Sequence, residues 1–385
     1  MALKIAKRAA IPPFIAMEML RAANERAQSG ARVLHLEVGQ PDGSAPGPVL
    51  EAAAAALKSH RLGYTEALGI PPLRSAIAQH YRRSYGIDLD PARVVVTTGS
   101  SGAFMLGFLA AFEAGDRVAL AAPGYPAYRN ILLALDLEPV DLAVGPDTHF
   151  QPTPALLDAV PGGLDGLILA SPSNPTGSML DRRALSALVD YCRARGIRLV
   201  SDEIYHGIVY GGETVSAAGL DESVIVVNSF SKYFSMTGWR LGWMLVPEDL
   251  ARAVECLAQN LYISPPTLPQ IAAEAVFGCK AELDGRVAVY RGNRDLLLAE
   301  LPKAGLSRFA PPDGAFYLYA DVGHLTEDSE AFCMRMLQEA GVAATPGMDF
   351  DRARGRHFLR FSYAGSPADM AEAAARIIEW RQRNG

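Results

Sequence analysis

Cysteine, long apolar runs and clustered positive charge are all scarce in this chain, and each scarcity excludes a class of protein. The four cysteines, Cys192, Cys256, Cys279 and Cys333, stand far apart, with no C-x-x-C pair and no histidines grouped nearby. Such spacing predicts neither a disulfide framework nor a metal site. The longest strongly apolar run, Ala103 to Phe112, is about half a membrane span. Near the start, Lys4, Lys7 and Arg8 precede a short apolar stretch that Pro12 and Pro13 interrupt and Glu18 ends, which does not make a signal peptide. A net charge of −6 with dispersed basic residues offers no footprint for nucleic acid or an anionic membrane. The phosphate-binding strings of nucleotide enzymes are missing too: no G-x-G-x-x-G follows a strand and no glycine loop ends in G-K-[ST]. What remains is the expectation of a soluble, cytoplasmic protein with a small-molecule partner.

At 385 residues, 50% of them hydrophobic, the chain can build one large domain plus a smaller one, or two of similar size. From Val94 onward, apolar runs alternate with helical segments: VVVTTG before Ser101 to Glu113, RVALAAPGYP before Ala127 to Leu135, LILASPSNPTG before Asp181 to Arg195, then IRLVSDEIY and VIVVNSFSK. Continuous apolar strands separated by helices belong to a mostly parallel sheet covered on both faces. The polar motifs follow the carboxyl ends of these strands, where an open α/β sheet forms its ligand crevice. Motifs distant in sequence therefore converge on one ligand. Upstream, the first residues read as an arm, Met17 to Ser29 has helical spacing, Val33 to Gly39 reads as a strand, and helices are expected over Pro48 to Lys58 and from Pro71 to near Gly86. Beyond Val246 the pattern becomes mainly helical (Glu248 to Tyr262, Gln270 to Cys279, Glu282 to Leu301), suggesting passage out of the large domain. Strands Gly314 to Val322 and His357 to Ala364 and an alanine-rich helix from Pro367 close the chain.

The densest chemistry lies in NSFSKYFSMTGWRLG, Asn228 to Gly242. A lysine becomes a nucleophile for carbonyl carbon when burial or neighbouring positive charge lowers its pKa. Lys232, on a loop at a strand end, is such a candidate. Ser229 and Ser231 can donate to a phosphate, and Arg240 can grip it with a planar fork. A phosphorylated aldehyde satisfies all four. TTGSSGAF, Thr97 to Phe104, ends a strand and starts a helix, whose free N–H groups and dipole also favour a phosphate. The plain alternative, surface charges on a polar loop, leaves the spacing of these groups unexplained.

At these residues the sequence resembles the class I/II aminotransferases, fold type I pyridoxal-phosphate enzymes related to aspartate aminotransferase. The string S-x-S-K followed by G-W-R-x-G looks like their cofactor-lysine signature, and the motifs VGQPD, Gly63–Tyr64, SPSNPTG, SDEIY and LRFSYA follow in the order that family shows. The resemblance implies a large domain with a mostly parallel sheet, near residues 41–278, an N-terminal arm and part of a small α/β domain in 1–40, and the rest of the small domain in 279–385. It implies Lys232 as the lysine that bonds pyridoxal 5'-phosphate. Ser100, Ser101, Ser229, Ser231 and Arg240 become phosphate contacts, and Tyr125 the aromatic stacked on the pyridine ring. Asn174 and Tyr205 sit at the ring oxygen and Asp202 at the ring nitrogen, where a carboxylate keeps the ring protonated and electron-withdrawing. Tyr64 reaches the phosphate of the other subunit, so a homodimer is implied. Gly39, Asn174 and Arg360 are placed at the substrate carboxylate. The expected reaction moves an amino group between an L-amino acid and a 2-oxo acid, with Lys232, Asp202 and Tyr205 as the catalytic set. Two alternatives stay open on the motifs alone: a carbon–sulfur β-lyase and a non-catalytic regulatory protein that binds the same cofactor. GSAPGPV stands where the family commonly has an aromatic and T-P, and Ser101 where acidic-substrate relatives have lysine. The latter leans toward a neutral or aromatic donor. His206 receives no role.

Overall fold

The computed structural model describes residues 3–384. The strands, in chain order, are β1 (Leu34–His35), β2 (Val94–Thr97), β3 (Arg117–Ala122), β4 (Glu138–Ala143), β5 (Gly166–Ala170), β6 (Arg198–Asp202), β7 (Ile225–Ser229), β8 (Gly242–Leu245), β9 (Arg308–Phe309), β10 (Tyr317–Asp321), β11 (Val342–Ala343), β12 (Thr345–Pro346) and β13 (Phe358–Ser362). Seven of them form one sheet in the order β2-β8-β7-β6-β5-β3-β4. Neighbours pair in parallel except β8, which runs antiparallel between β2 and β7.

The strands are apolar on both faces because helices cover both. Val94, Val96, Leu167, Leu169 and Val226 pack into one core with Leu73, Ile77, Leu185 and Leu188. The intervening Val95, Ile168, Ile225 and Val227 pack into another with Phe104, Phe108, Leu132 and Val254. This period-two split is what the continuous apolar runs encode. The helix Glu248–Leu261 belongs to that second core, and Thr267–Ala273 packs on the helix Gly47–Ser59. The passage out of the large sheet thus comes later than the helical pattern suggests, at Lys280–Glu300.

A smaller unit holds the sheet β12-β13-β10-β9, antiparallel throughout, and the parallel pair β1-β11. Its core joins both ends of the chain, with Met19, Ala23, Leu34 and Leu36 against Leu297, Phe361, Ile377 and Trp380. The expected strand over Val33 to Gly39 is cut to Leu34–His35, because from Glu37 on the backbone serves other partners: the Glu37 and Gly39 carbonyls accept from Arg360 and Lys232. The expected helix Gln270 to Cys279 instead begins at Thr267 and turns 3-10 over Glu274–Gly278. Among the described residues no helix is long and apolar enough to cross a membrane.

Candidate active site

The carboxyl ends of β2, β3, β5, β6 and β7 and the face of β13 surround one cavity of about 200 Å³. Ser100, Ser101, Tyr125, Asn174, Asp202, Tyr205, Ser231, Lys232, Arg240, Gly39 and Arg360 all line it. Two of the expected residues do not. Ser229 is buried one layer behind, its hydroxyl 2.9 Å from Ser231 Oγ and 3.1 Å from the Leu241 carbonyl. Tyr64 is 83% exposed and lies outside the cavity of its own chain.

One end of the cavity is built for a dianion. No side chain caps the helix Gly99–Ala111, which leaves its first N–H groups free beside Ser100 and Ser101. Gly99 holds φ at +75°, and a Cβ there would sit 2.7 Å from Arg240 Nη2, so the guanidinium approaches this backbone only because residue 99 is glycine. Arg240 itself adopts the left-handed region, fixed by a 3.0 Å bond from its Nη1 to the Thr237 carbonyl.

Lys232 stands between this end and the fork at Arg360. Burial, then the positive charges of Arg360 and Arg240, push its ammonium down to about 8, with Asp202 opposing. Its Nζ donates to the Gly39 carbonyl at 2.6 Å. Asp202 is buried and pushed up to about 6 by desolvation, opposed by the Tyr128 hydroxyl, the Ile204 N–H at 3.0 Å and the charge of Lys232. Tyr205 and Tyr317 share a 2.7 Å bond between their hydroxyls.

Arg360 is 2% exposed, and among the described residues it forms no ion pair, the Asp349 carboxylate feeling its charge only at longer range. Its guanidinium donates to Asn174 Oδ1 at 2.9 Å, to the Glu37 carbonyl at 2.5 Å and to Thr345 Oγ1 at 3.2 Å, while Nε has no partner. The rings of Tyr317 and Phe350 lie 4.5 and 4.7 Å from its central carbon. A buried guanidinium hydrogen-bonded only to neutral groups is costly unless an anion comes from outside to pair with it directly. The chemistry of this donor set fits pyridoxal phosphate and an amino acid together: dianion cradle, reactive amine, carboxylate for a ring nitrogen, and a second anion fork.

Tyr128, Tyr317 and Thr345 join the site from outside the motifs that carry its other residues. Tyr128 lies three residues after Tyr125, the N-cap of the helix Pro126–Ala134, so the first helical turn brings it to the same side as Tyr125. Tyr317 and Arg360 are diagonal neighbours on the β10–β13 ladder, where Tyr319 pairs with Arg360, and this register cannot be read from either strand alone. His206 lies behind the cavity, between the Tyr85 hydroxyl (2.9 Å) and the Ser171 carbonyl (3.0 Å), and burial pushes it down to about 3, so it is neutral.

Removing the Tyr128 hydroxyl takes a hydrogen bond from the ionised form of Asp202, so the carboxyl pKa rises further. In Tyr128→Phe the acid limb of the kcat/KM profile should move upward by about one pH unit, since a hydrogen bond to a charged group contributes about 1.5 kcal/mol or more. An unshifted acid limb in a pH–rate series removes Tyr128 from this role.

Comparisons with known proteins converge on one group. The family model "Aminotransferase class I and II" matches residues 31–377. A valine–pyruvate aminotransferase of Mycobacterium tuberculosis is 52% identical over 98% of both chains. A (5-formylfuran-3-yl)methyl phosphate transaminase of Methanocaldococcus jannaschii is 33% identical, covering 95% of this chain and 96% of that one. Among solved structures, an aminotransferase from Mycobacterium tuberculosis superposes with a TM-score of 0.98 at 52% identity, over 99% of this chain and 100% of the other. Aspartate aminotransferase from Thermus thermophilus with maleate gives 0.92 at 31% identity, over 98% of this chain and 100% of that one.

Proposed function

The chain belongs to the class I and II aminotransferases, pyridoxal-phosphate enzymes of fold type I that move an amino group between an amino acid and a 2-oxo acid, and on that premise we propose a neutral, branched aliphatic donor such as valine, with pyruvate as acceptor. The observation that carries the amino-acid part is the buried Arg360 fork, which lacks a carboxylate of its own. The neutral side chain is supported by Ser101, Phe14, Ala16, Met17 and Tyr125 in the cavity wall and by the relative of 52% identity that is a valine–pyruvate aminotransferase. Initial rates with single donors and pyruvate test this. Valine should exceed aspartate in kcat/KM by roughly 100-fold or more, the scale of leaving a distal carboxylate desolvated and unpaired; equal rates would refute the preference.

Bound in this cavity, the cofactor supplies an aldehyde carbon for amines and a ring that withdraws electrons from the substrate's Cα. Ser100, Ser101, Ser231 and Arg240 would hold its phosphate, with Ser229 orienting Ser231, and Tyr125 would cover the ring. Asp202 would keep a proton at the ring nitrogen, and Tyr205 and Asn174 would bind the ring oxygen. Arg360, Asn174 and Gly39 take the α-carboxylate of donor and of acceptor alike. The Lys232 amine would serve as the base that takes the proton from the donor's Cα and gives it back during the transfer. Its pKa near 8 leaves an appreciable neutral fraction around neutral pH.

Residues 41–278 are assigned to the cofactor-binding domain, 1–40 to the arm and part of the small domain, and 279–385 to the remainder, in line with the separate cores. The enzyme is assigned to the cytoplasm, consistent with four free cysteines. It is further assigned as a homodimer in which Tyr64 serves the partner's site. Supporting this, Leu57, Leu62, Tyr64, Leu261 and Ile263 are each exposed, and the Tyr64 loop is held next to Thr267, whose Oγ1 donates to the Gly63 carbonyl at 2.6 Å. A solution mass equal to the 41.2 kDa of one chain would contradict the dimer.

A further inference from the structure

The cavity has an apolar stretch of wall that the proton transfers leave unused: Phe14, Ala16 and Met17, at the start of the helix Ile15–Gln28. The first N–H groups of a helix need acceptors from outside it, and the N-cap residue, Phe14, has none to offer. The acceptor comes from the other end of the chain. Asp349 Oδ1 accepts from the Ile15 N–H at 3.0 Å and Oδ2 from the Ala16 N–H at 3.1 Å. Asp349 is buried, and its carboxylate is tolerated there through these two donors, the positive end of the helix and the charge of Arg360. The next residue, Phe350, is fully buried with its ring 4.7 Å from the Arg360 guanidinium carbon. Phe14 in turn meets the ring of Tyr125 edge-on at 5.9 Å. One dipeptide, Asp349–Phe350, therefore touches both the start of the apolar wall and the anion fork.

We propose that Asp349 is a positioning residue for the donor's side chain: it pins Phe14 to Met17 as a wall of the binding cavity and, through Phe350, holds that wall at a fixed distance from Arg360. The proposal rests on the reading of Arg360 as the carboxylate fork. With the α-carboxylate fixed there, the distance from fork to wall decides which side chains make contact. A branched side chain gains more from that contact than a methyl group does.

Asp349→Asn keeps the volume but turns an amide N–H₂ toward one of the two backbone donors. The ratio of kcat/KM for valine to that for alanine should fall roughly tenfold, because displacements of an ångström or less at a binding wall have effects of this order or larger. Amide exchange at Ala16 to Met19 should quicken at least about tenfold while that of Lys280–Glu300 stays as in the parent. Ile15→Pro removes one donor at the first helical position, where proline is accommodated, and should lower the same ratio by about threefold. A residue that merely supports the fold would lower both donors equally and leave the ratio unchanged. An unchanged ratio in either folded variant, or unaltered exchange at Ala16 to Met19 in Asp349→Asn, overturns the proposal. If Asp349→Asn does not fold, Ile15→Pro decides alone. Failure of the fork reading would look different: the parent enzyme would turn over amines lacking the α-carboxylate as well as amino acids, whatever the exchange data show.

Discussion

Lys232→Ala should lower kcat/KM by roughly 10⁴-fold or more while the protein still folds and still takes up pyridoxal phosphate without a covalent bond. The size follows from losing two roles at one atom, the amine that bonds the aldehyde and the base that moves the Cα proton. The cradle proposed for the phosphate, Ser100, Ser101, Ser231 and Arg240, is untouched by the change, so affinity for the cofactor should persist. The variant also has a stability signature. Lys232 has a folded pKa near 8 against 10.5 for a free lysine, so the unfolded chain binds more protons between those two values. The group therefore destabilises the unliganded fold by a few kcal/mol below pH 8, and this cost disappears as pH rises toward 10.5. Thermal unfolding should show the parent gaining on Lys232→Ala across that window. Parallel curves, or turnover near the parent level, would remove Lys232 from the centre of the account.

Arg360→Leu should reduce kcat/KM by about 10³-fold, through KM more than kcat, for donor and acceptor alike. Truncating one partner of a buried, hydrogen-bonded charge pair costs about 2–5 kcal/mol, and each 1.4 kcal/mol is a factor of ten. Two effects on stability oppose each other. Deleting a buried charge that bonds to no carboxylate stabilises the unliganded protein, whereas Asn174 and Thr345 each lose a donor at about 1–3 kcal/mol per group, the Glu37 carbonyl keeping Thr345 Oγ1 at 2.8 Å. The two effects offset in part, so the variant should stay folded at the assay temperature and the loss of activity is not one of unfolding. Arg360→Lys keeps the charge but loses the fork and should fall between, at roughly 10–100-fold. Amines without an α-carboxylate should be insensitive to either change, and a loss of equal size for them would place Arg360 in the scaffold instead.

The parallel sheet and the motifs at its carboxyl edge were legible because each motif is local: a strand, a turn and one or two polar groups within a few residues. What was hidden required a partner strand or an edge. β8, GWML, is four residues long and starts at the last residue of the stretch read for its chemistry, and its antiparallel place between β2 and β7 depends on pairing with strands on either side. β4 carries Pro139 and lies at the sheet edge, half-exposed, where apolar continuity is lost. The same holds within the site. Lys232, Asp202 and Arg240 carry their meaning in local spacing. The pairing of Tyr317 with Tyr205 and the Asn174 acceptor of Arg360 arise only where the small unit meets the sheet, and the Glu37 and Thr345 acceptors and the Asp349 cap on Ile15 and Ala16 only where the two ends of the chain come together. Ser229 shows the converse, since its motif position reads as a phosphate contact although its hydroxyl is spent on Ser231 and Leu241.

The most direct test is the visible spectrum of the purified enzyme loaded with pyridoxal phosphate, recorded before and after L-valine and then after pyruvate. The account predicts conversion of the aldehyde form of the cofactor to its amine form with release of one equivalent of 2-oxo acid, and full return on adding pyruvate with formation of alanine. A spectrum that no amino acid converts, or pyruvate and ammonia released from a cysteine conjugate without that cycle, would contradict it.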